Sequence, residues 1–220
     1  GTGSEVGRAS VITNEESSIK KVIFHPNMPP SIVICDPELV TGLPSNLTAY
    51  TGMDALIHCF EAYCAIGYHP MAEGIALEGM KLVANWLPKA FKDGQDIEAR
   101  AHMMSAAAMG ATAFQKGLGA IHSLSHPMSA VYDTHHGLAN AVFMPYVITF
   151  NKPAIKEKLK VISNHLSLKS PGYIGVIDWV LELCGTFNIP NNSEKLGARP
   201  EDLDKLAIMA ANDPTASGNP

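Results

Sequence analysis

Four histidines fall within fifteen residues, His122, His126, His135 and His136, although the whole chain of 220 residues has only nine. Two of them stand in H-x-x-x-H spacing, which on a helix puts both imidazoles on one face with Cβ atoms about 5–6 Å apart. Asp54 and His58 repeat that spacing upstream, inside an apolar stretch. Either of these two alone reads as an ordinary helix acid or a core histidine. Beside the second pair they read as a ligand set, because an acid and several imidazoles on two helices can close around one divalent cation. Mixed nitrogen and oxygen donors suit zinc or iron, whereas calcium and magnesium prefer shells made of oxygen. Of the later histidines, His136 joins the set more naturally than His135. It lies fourteen residues after His122, close to four helical turns, and Gly137 beside it lets backbone approach closely. His135 is expected to be solvated or to cap a helix. His25, His69, His102 and His165 have no partner at ligand spacing and read as surface or local hydrogen-bonding residues.

The elements that must position these groups are mostly helical. Hydrophobic residues make up 46% of the chain and charged ones 17%, enough for a substantial core and against disorder. The net charge of −5 offers no basic patch, so nucleic acid is not an expected partner. No apolar run reaches eighteen residues, so no membrane span is expected, and a cytoplasmic location is. Cys35, Cys59, Cys64 and Cys184 form no C-x-x-C pattern and are expected to be free thiols in a reducing compartment. Short strands are expected at ASVIT, KKVIF and SIVIC, between Arg8 and Leu39, with turns at Asn14–Ser18 and His25–Pro30. From Leu47 onward the periodicity is helical: about 48–65, 71–91, 96–114, 120–132, 135–148, 154–168, 173–187 and 199–212. Asp133 and Thr134 are expected to cap the segment from His135, which should end near Asn151 and Pro153. Three strands are too few for a stable sheet, so they are expected to complete a sheet whose other strands lie elsewhere. The opening Gly1-Thr2-Gly3-Ser4-Glu5 looks like the middle of a functional loop, and the chain is expected to be a piece of a longer protein.

Five segments resemble the iron-containing (group III) alcohol dehydrogenases, in the right order: GTGSEV, VITNEES, IVICDPEL, TGMDALIHCFEAY and GAIHSLSHPMSAVYDTHHGLANAV. The resemblance covers nearly the whole chain. It implies that Asp54, His58, His122 and His136 hold a metal, Fe²⁺ or Zn²⁺, and that His126 lies near the nicotinamide of NAD or NADP. Thr2 and Lys20 match cofactor-facing positions. The resemblance also implies a fold. It is mainly α: a helical metal-binding catalytic domain over 39–220, with 1–38 a β-rich remnant of a Rossmann-like dinucleotide domain. The family's glycine-rich pyrophosphate loop is not among these residues, so the chain alone is expected to be inactive.

Oxidising an alcohol requires loss of the hydroxyl proton and transfer of hydride to nicotinamide. The expected function is therefore that of an oxidoreductase acting on a primary alcohol or aldehyde, with His126 relaying the proton. The expected protein is a homo-oligomer. Two rivals remain: a metal-dependent lyase of the dehydroquinate synthase type, since that family shares the architecture, and a metal-binding helical fragment without catalysis.

Overall fold

A computed structural model describes residues 2–7, 9–14 and 19–220. Seven helices make up most of it: α1 (Ser45–Cys64), α2 (Pro70–Lys92), α3 (Ile97–Ala113), α4 (Ala120–Tyr132), α5 (His136–His165), α6 (Gly172–Thr186) and α7 (Leu203–Ala211). The helix α1 is the axis of the fold and packs against α2, α3 and α5. Every residue from Gly52 to Cys64 is buried, including Asp54, His58 and Glu61. A helix that is apolar nearly all round has no solvated face, and it is stable only when others surround it. Its C-terminal end is closed by two lysines. Lys116 and Lys158 donate to the carbonyl of Tyr63 and share the Glu73 carboxylate, placing cations at the negative end of the helix.

Helix boundaries depart from the periodic reading at α7, which begins at Leu203 after a 3-10 turn (Pro200–Asp202), and at the start of α5. The segment from His135 is not capped by Asp133 or Thr134. Asp133 takes the left-handed conformation (φ 53°, ψ 32°) that ends α4, and His135 stands at the N-cap of α5 without a side-chain cap. That helix breaks close to where the sequence places its end: just after Pro153 the backbone leaves helical geometry at Ile155 (φ −108°, ψ 15°), and a second helical segment carries α5 on to His165.

At the N-terminal side, β1 (Ala9–Asn14) and β2 (Ile19–Phe24) pair antiparallel, from Ala9 opposite Phe24 to Asn14 opposite Ile19. Residues 15–18 of the expected turn lie outside the described residues. At His25–Pro30 the chain does turn, with the Met28 N–H donating to the His25 carbonyl and the Asn27 N–H to His25 Nδ1. The third expected strand, SIVIC at 31–35, is not a strand. Among the described residues no other strand pairs with it, and Ile32 and Ile34 are 80% and 83% exposed. Apolar β-branched residues make a strand only where a neighbour can satisfy their backbone.

Candidate metal centre

Three helices bring the chemistry together. Asp54 and His58 project from α1, His122 and His126 from α4, and His136 is the first residue of α5. Asp54 Oδ1 lies 3.8 Å from His58 Nε2, 3.8 Å from His122 Nε2 and 3.7 Å from His136 Nε2. Donor atoms of Asp54, His58 and His122 all fall within 4.8 Å of one another, and all three residues are buried. Tetrahedral ligands about 2.0–2.1 Å from a zinc-sized ion stand roughly 3.4 Å apart, so the three contacts from Asp54 are within a few tenths of an ångström of a ligand shell. His136 reaches the cluster across a break between helices, since α4 has already ended at Tyr132. The four-turn spacing expected from sequence is not the cause. What brings it close is Gly137: a Cβ there would lie 2.2 Å from the Tyr50 carbonyl oxygen, so α5 can meet α1 only at a glycine.

The electrostatics favour a cation. Burial alone would raise the Asp54 carboxyl, but His58, His136 and His122 and a hydrogen bond from Thr2 hold it well below the usual carboxylate range. Burial pushes His58 down to about 4, which keeps its ring neutral and its nitrogen lone pair available at physiological pH. His58 Nδ1 is buried with no hydrogen-bond partner. Asn140 on α5 faces three of these groups. Its single Nδ2 lies 2.8 Å from Asp54 Oδ1, 3.3 Å from His122 Nε2 and 3.1 Å from His136 Nε2, while its Oδ1 has no partner. The amide nitrogen has two hydrogens for these three neighbours, whose ring nitrogens accept or donate according to tautomer. A carboxylate oxygen and two ring nitrogens thus converge on one point between the helices.

Glu61 completes the support of His122. It lies three residues after His58 and seven after Asp54, on the same face of α1, a spacing that is itself present in the sequence. Its Oε2 is 2.6 Å from His122 Nδ1, and its Oε1 accepts the Ile121 N–H at 2.7 Å. Asn219 takes the neighbouring Ala120 N–H at 3.1 Å, so two side chains from elsewhere satisfy the first turn of α4, which has no cap of its own. Burial raises Glu61 to about 7, against the opposing pull of the Ile121, Gly119 and His122 backbone N–H groups. When Glu61 is ionised, its Oε2 accepts a hydrogen bond from the His122 Nδ1–H and leaves Nε2 bare, as metal-binding histidines require.

The remaining candidates are placed less centrally. His126 sits on the same face as His122, its ring 5.4 Å from that of His136, and Nδ1 contacts Asp213 Oδ2 at 2.8 Å. His135 lies against Tyr50 at 5.2 Å. Thr2 hydrogen-bonds Asp54, and Lys20 lies in β2 opposite Thr13. His69 caps α2, and His102 stacks on Trp86 at 4.1 Å. A cavity of about 550 Å³ opens onto the cluster. Thr2, Asp54, His135 and His136 line its polar part, and Val40, Leu43, Met103 and Met104 its apolar walls. His126 is not on this wall. It lines a second hollow of about 270 Å³ with Ile208, Met209 and Asp213.

This fold and this donor set define a class, and the chain belongs to it: residues 48–220 match the C-terminal part of the Fe-containing alcohol dehydrogenase family. Among known relatives it is similar to 4-hydroxybutyrate dehydrogenase of Cupriavidus necator, 38% identical over all of this chain and 59% of that protein. It is also similar to NAD-dependent methanol dehydrogenase of Bacillus methanolicus, 37% identical over all of this chain and 60% of that protein. Among solved structures, a 1,3-propanediol oxidoreductase superposes with a TM-score of 0.94 at 35% identity, covering all of this chain and 59% of that one. An iron-containing alcohol dehydrogenase from Thermococcus thioreducens superposes with a TM-score of 0.89 at 32% identity, over all of this chain and 58% of that one. The chain thus spans less than two thirds of the length of the relatives it matches.

Proposed function

We propose that this chain carries the metal-binding part of a nicotinamide-dependent alcohol dehydrogenase, with Asp54, His58, His122 and His136 as the ligands of one Fe²⁺ or Zn²⁺. The observation that carries this reading is the convergence of the His58, His122 and His136 Nε2 atoms on Asp54 Oδ1, each within 3.8 Å. When bound, such a cation acts as a Lewis acid that lowers the pKa of an alcohol hydroxyl or polarises an aldehyde carbonyl. The protein's residues do the rest. Glu61 fixes the His122 ring, Thr2 steadies the Asp54 carboxylate, and the apolar walls at Leu43 and Met103 keep bulk water from the reacting carbon. His126, beside His136 but held by Asp213, takes the hydroxyl proton. Residues 1–38 belong to the dinucleotide domain and 39–220 to the helical domain. Thr2 and Lys20 stand at positions that match the family's cofactor-facing ones, for the NAD or NADP of a longer chain. The substrates named for the relatives, 4-hydroxybutyrate, methanol and 1,3-propanediol, each carry a primary hydroxyl, which favours a primary alcohol here.

The test is hydride chemistry in the full-length protein. Alcohol-dependent reduction of NAD⁺ or NADP⁺ should be abolished by chelation and restored by Fe²⁺ or Zn²⁺. A metal-loaded protein that transfers no hydride to either cofactor from any primary alcohol would favour elimination chemistry of the dehydroquinate synthase type instead.

A further inference from the structure

Residues Asp213–Asn219 follow α7 and pack back against α4, holding it at both ends of the histidine pair. At the first end, Asn219 Oδ1 accepts the Ala120 N–H and the Asn151 Nδ2 at 2.7 Å, while Asn219 Nδ2 donates to Asn151 Oδ1 at 3.0 Å. Gly218 lies so close to Leu118 that a Cβ would stand 2.1 Å from its carbonyl oxygen. At the other end Asp213 divides its two oxygens. Oδ1 accepts the Thr215 N–H at 2.9 Å and the Thr215 hydroxyl at 2.5 Å, and Oδ2 is left for His126 Nδ1 at 2.8 Å. Both side chains are nine-tenths buried, so water does not compete for this contact.

We propose that Asp213 is a positioning residue for the centre, holding His126 in the tautomer that carries its proton on Nδ1 and keeps Nε2 bare. An ionised carboxylate only accepts, and a neutral imidazole has one N–H, so the contact assigns that proton to Nδ1. The inference rests on the reading of the centre as a metal site in which His126 handles the substrate proton. The proton leaving the hydroxyl then bonds to Nε2, and the imidazolium that forms is paired with the Asp213 carboxylate. A turn pinned by Asn219 and Gly218 keeps that carboxylate in place.

The isosteric Asp213→Asn variant separates positioning from mere packing. Two Thr215 donors claim the amide oxygen, so the amide nitrogen faces His126 and donates to Nδ1. The ring proton must then move to Nε2. The measurement is the pair of ring ¹⁵N shifts of His126 in full-length, zinc-loaded protein labelled on histidine and assigned with His126→Gln. Wild type should carry the proton on Nδ1 and Asp213→Asn on Nε2. The variant should keep its metal content while kcat falls about 10²-fold or more with KM little changed. Persistence of the Nδ1 proton in Asp213→Asn would overturn the proposal, and so would metal loss in that variant. If the variant does not fold, the wild-type shifts decide alone, an Nε2 proton overturning it. A wild-type protein that binds no metal would instead sink the metal reading, while the His126 shifts still report on Asp213.

Discussion

Glu61 sits outside the set of four ligand candidates, yet it decides how His122 presents its ring. Its two oxygens serve two donors, the Ile121 N–H and His122 Nδ1. In Glu61→Gln one of them must meet an amide nitrogen. Either Ile121 loses its acceptor or the His122 proton is forced to Nε2, where a metal should bind. Metal affinity is therefore expected to fall about 10–100-fold, read by competition with a chromophoric chelator; unchanged affinity would remove Glu61 from the account. His58 gives a pH signature in the metal-free protein. Burial pushes it from 6.5 down to about 4, so between these values the unfolded chain binds the proton in preference. Its contribution is full above about pH 6.5 and is lost as pH falls through about 4. Glu61, raised from 4.5 to about 7, acts in the opposite sense, its contribution lost as pH rises through about 7. Replacing His58 by Gln leaves Glu61 in place, so urea unfolding of both proteins at about pH 7 and pH 5 isolates the His58 effect. The advantage of wild type over His58→Gln should shrink at the lower pH.

Among the elements, the junctions between helices set the geometry more than the helices themselves. Gly137→Ala would place a Cβ 2.2 Å from the Tyr50 carbonyl oxygen, a backbone atom that cannot swing aside. Helix α5 must then retreat and carry His136 away from Asp54. Metal affinity should drop at least tenfold, and the protein should be destabilised by more than 1 kcal/mol or so, in the range of overpacked sites. Gly74→Ala is the matching control, because a Cβ there meets nothing within 4 Å on the exposed side of α2. It should stabilise the protein by about 0.5–1 kcal/mol and leave metal binding alone. The same contrast explains what the sequence made legible. The long amphipathic helix α2 follows from periodicity to within a residue or two. The left-handed Asp133 does not, because it depends on what packs around a chain reversal. SIVIC had every mark of a strand except a partner, and a partner is not written in local sequence. The four ligand candidates were legible as types and spacing. Glu61 and Asn140 were not singled out, although each lies four residues or fewer from a histidine on its own helix, because a supporting role shows only when the facing helix is in place.

Across the whole molecule, the centre is buried where α1, α4 and α5 meet, and the thiols report how tightly that core is closed. Cys59 and Cys64 are buried with thiols pushed up to about 12, while Cys35 is exposed. In native protein at about pH 8 a thiol reagent should label Cys35 rapidly and leave Cys59 and Cys64 untouched until the chain unfolds. Labelling of all three at one rate would mean the helical core opens as a unit. No described helix is long and apolar enough to cross a membrane. The central claim is one metal ion held by four side chains from three helices. Its most direct test is metal stoichiometry by mass spectrometry after chelation and reloading with Zn²⁺, for wild type beside the His122→Ala, His136→Ala double variant. The account predicts about one equivalent for wild type and near none for the variant. Equal metal in both would contradict it.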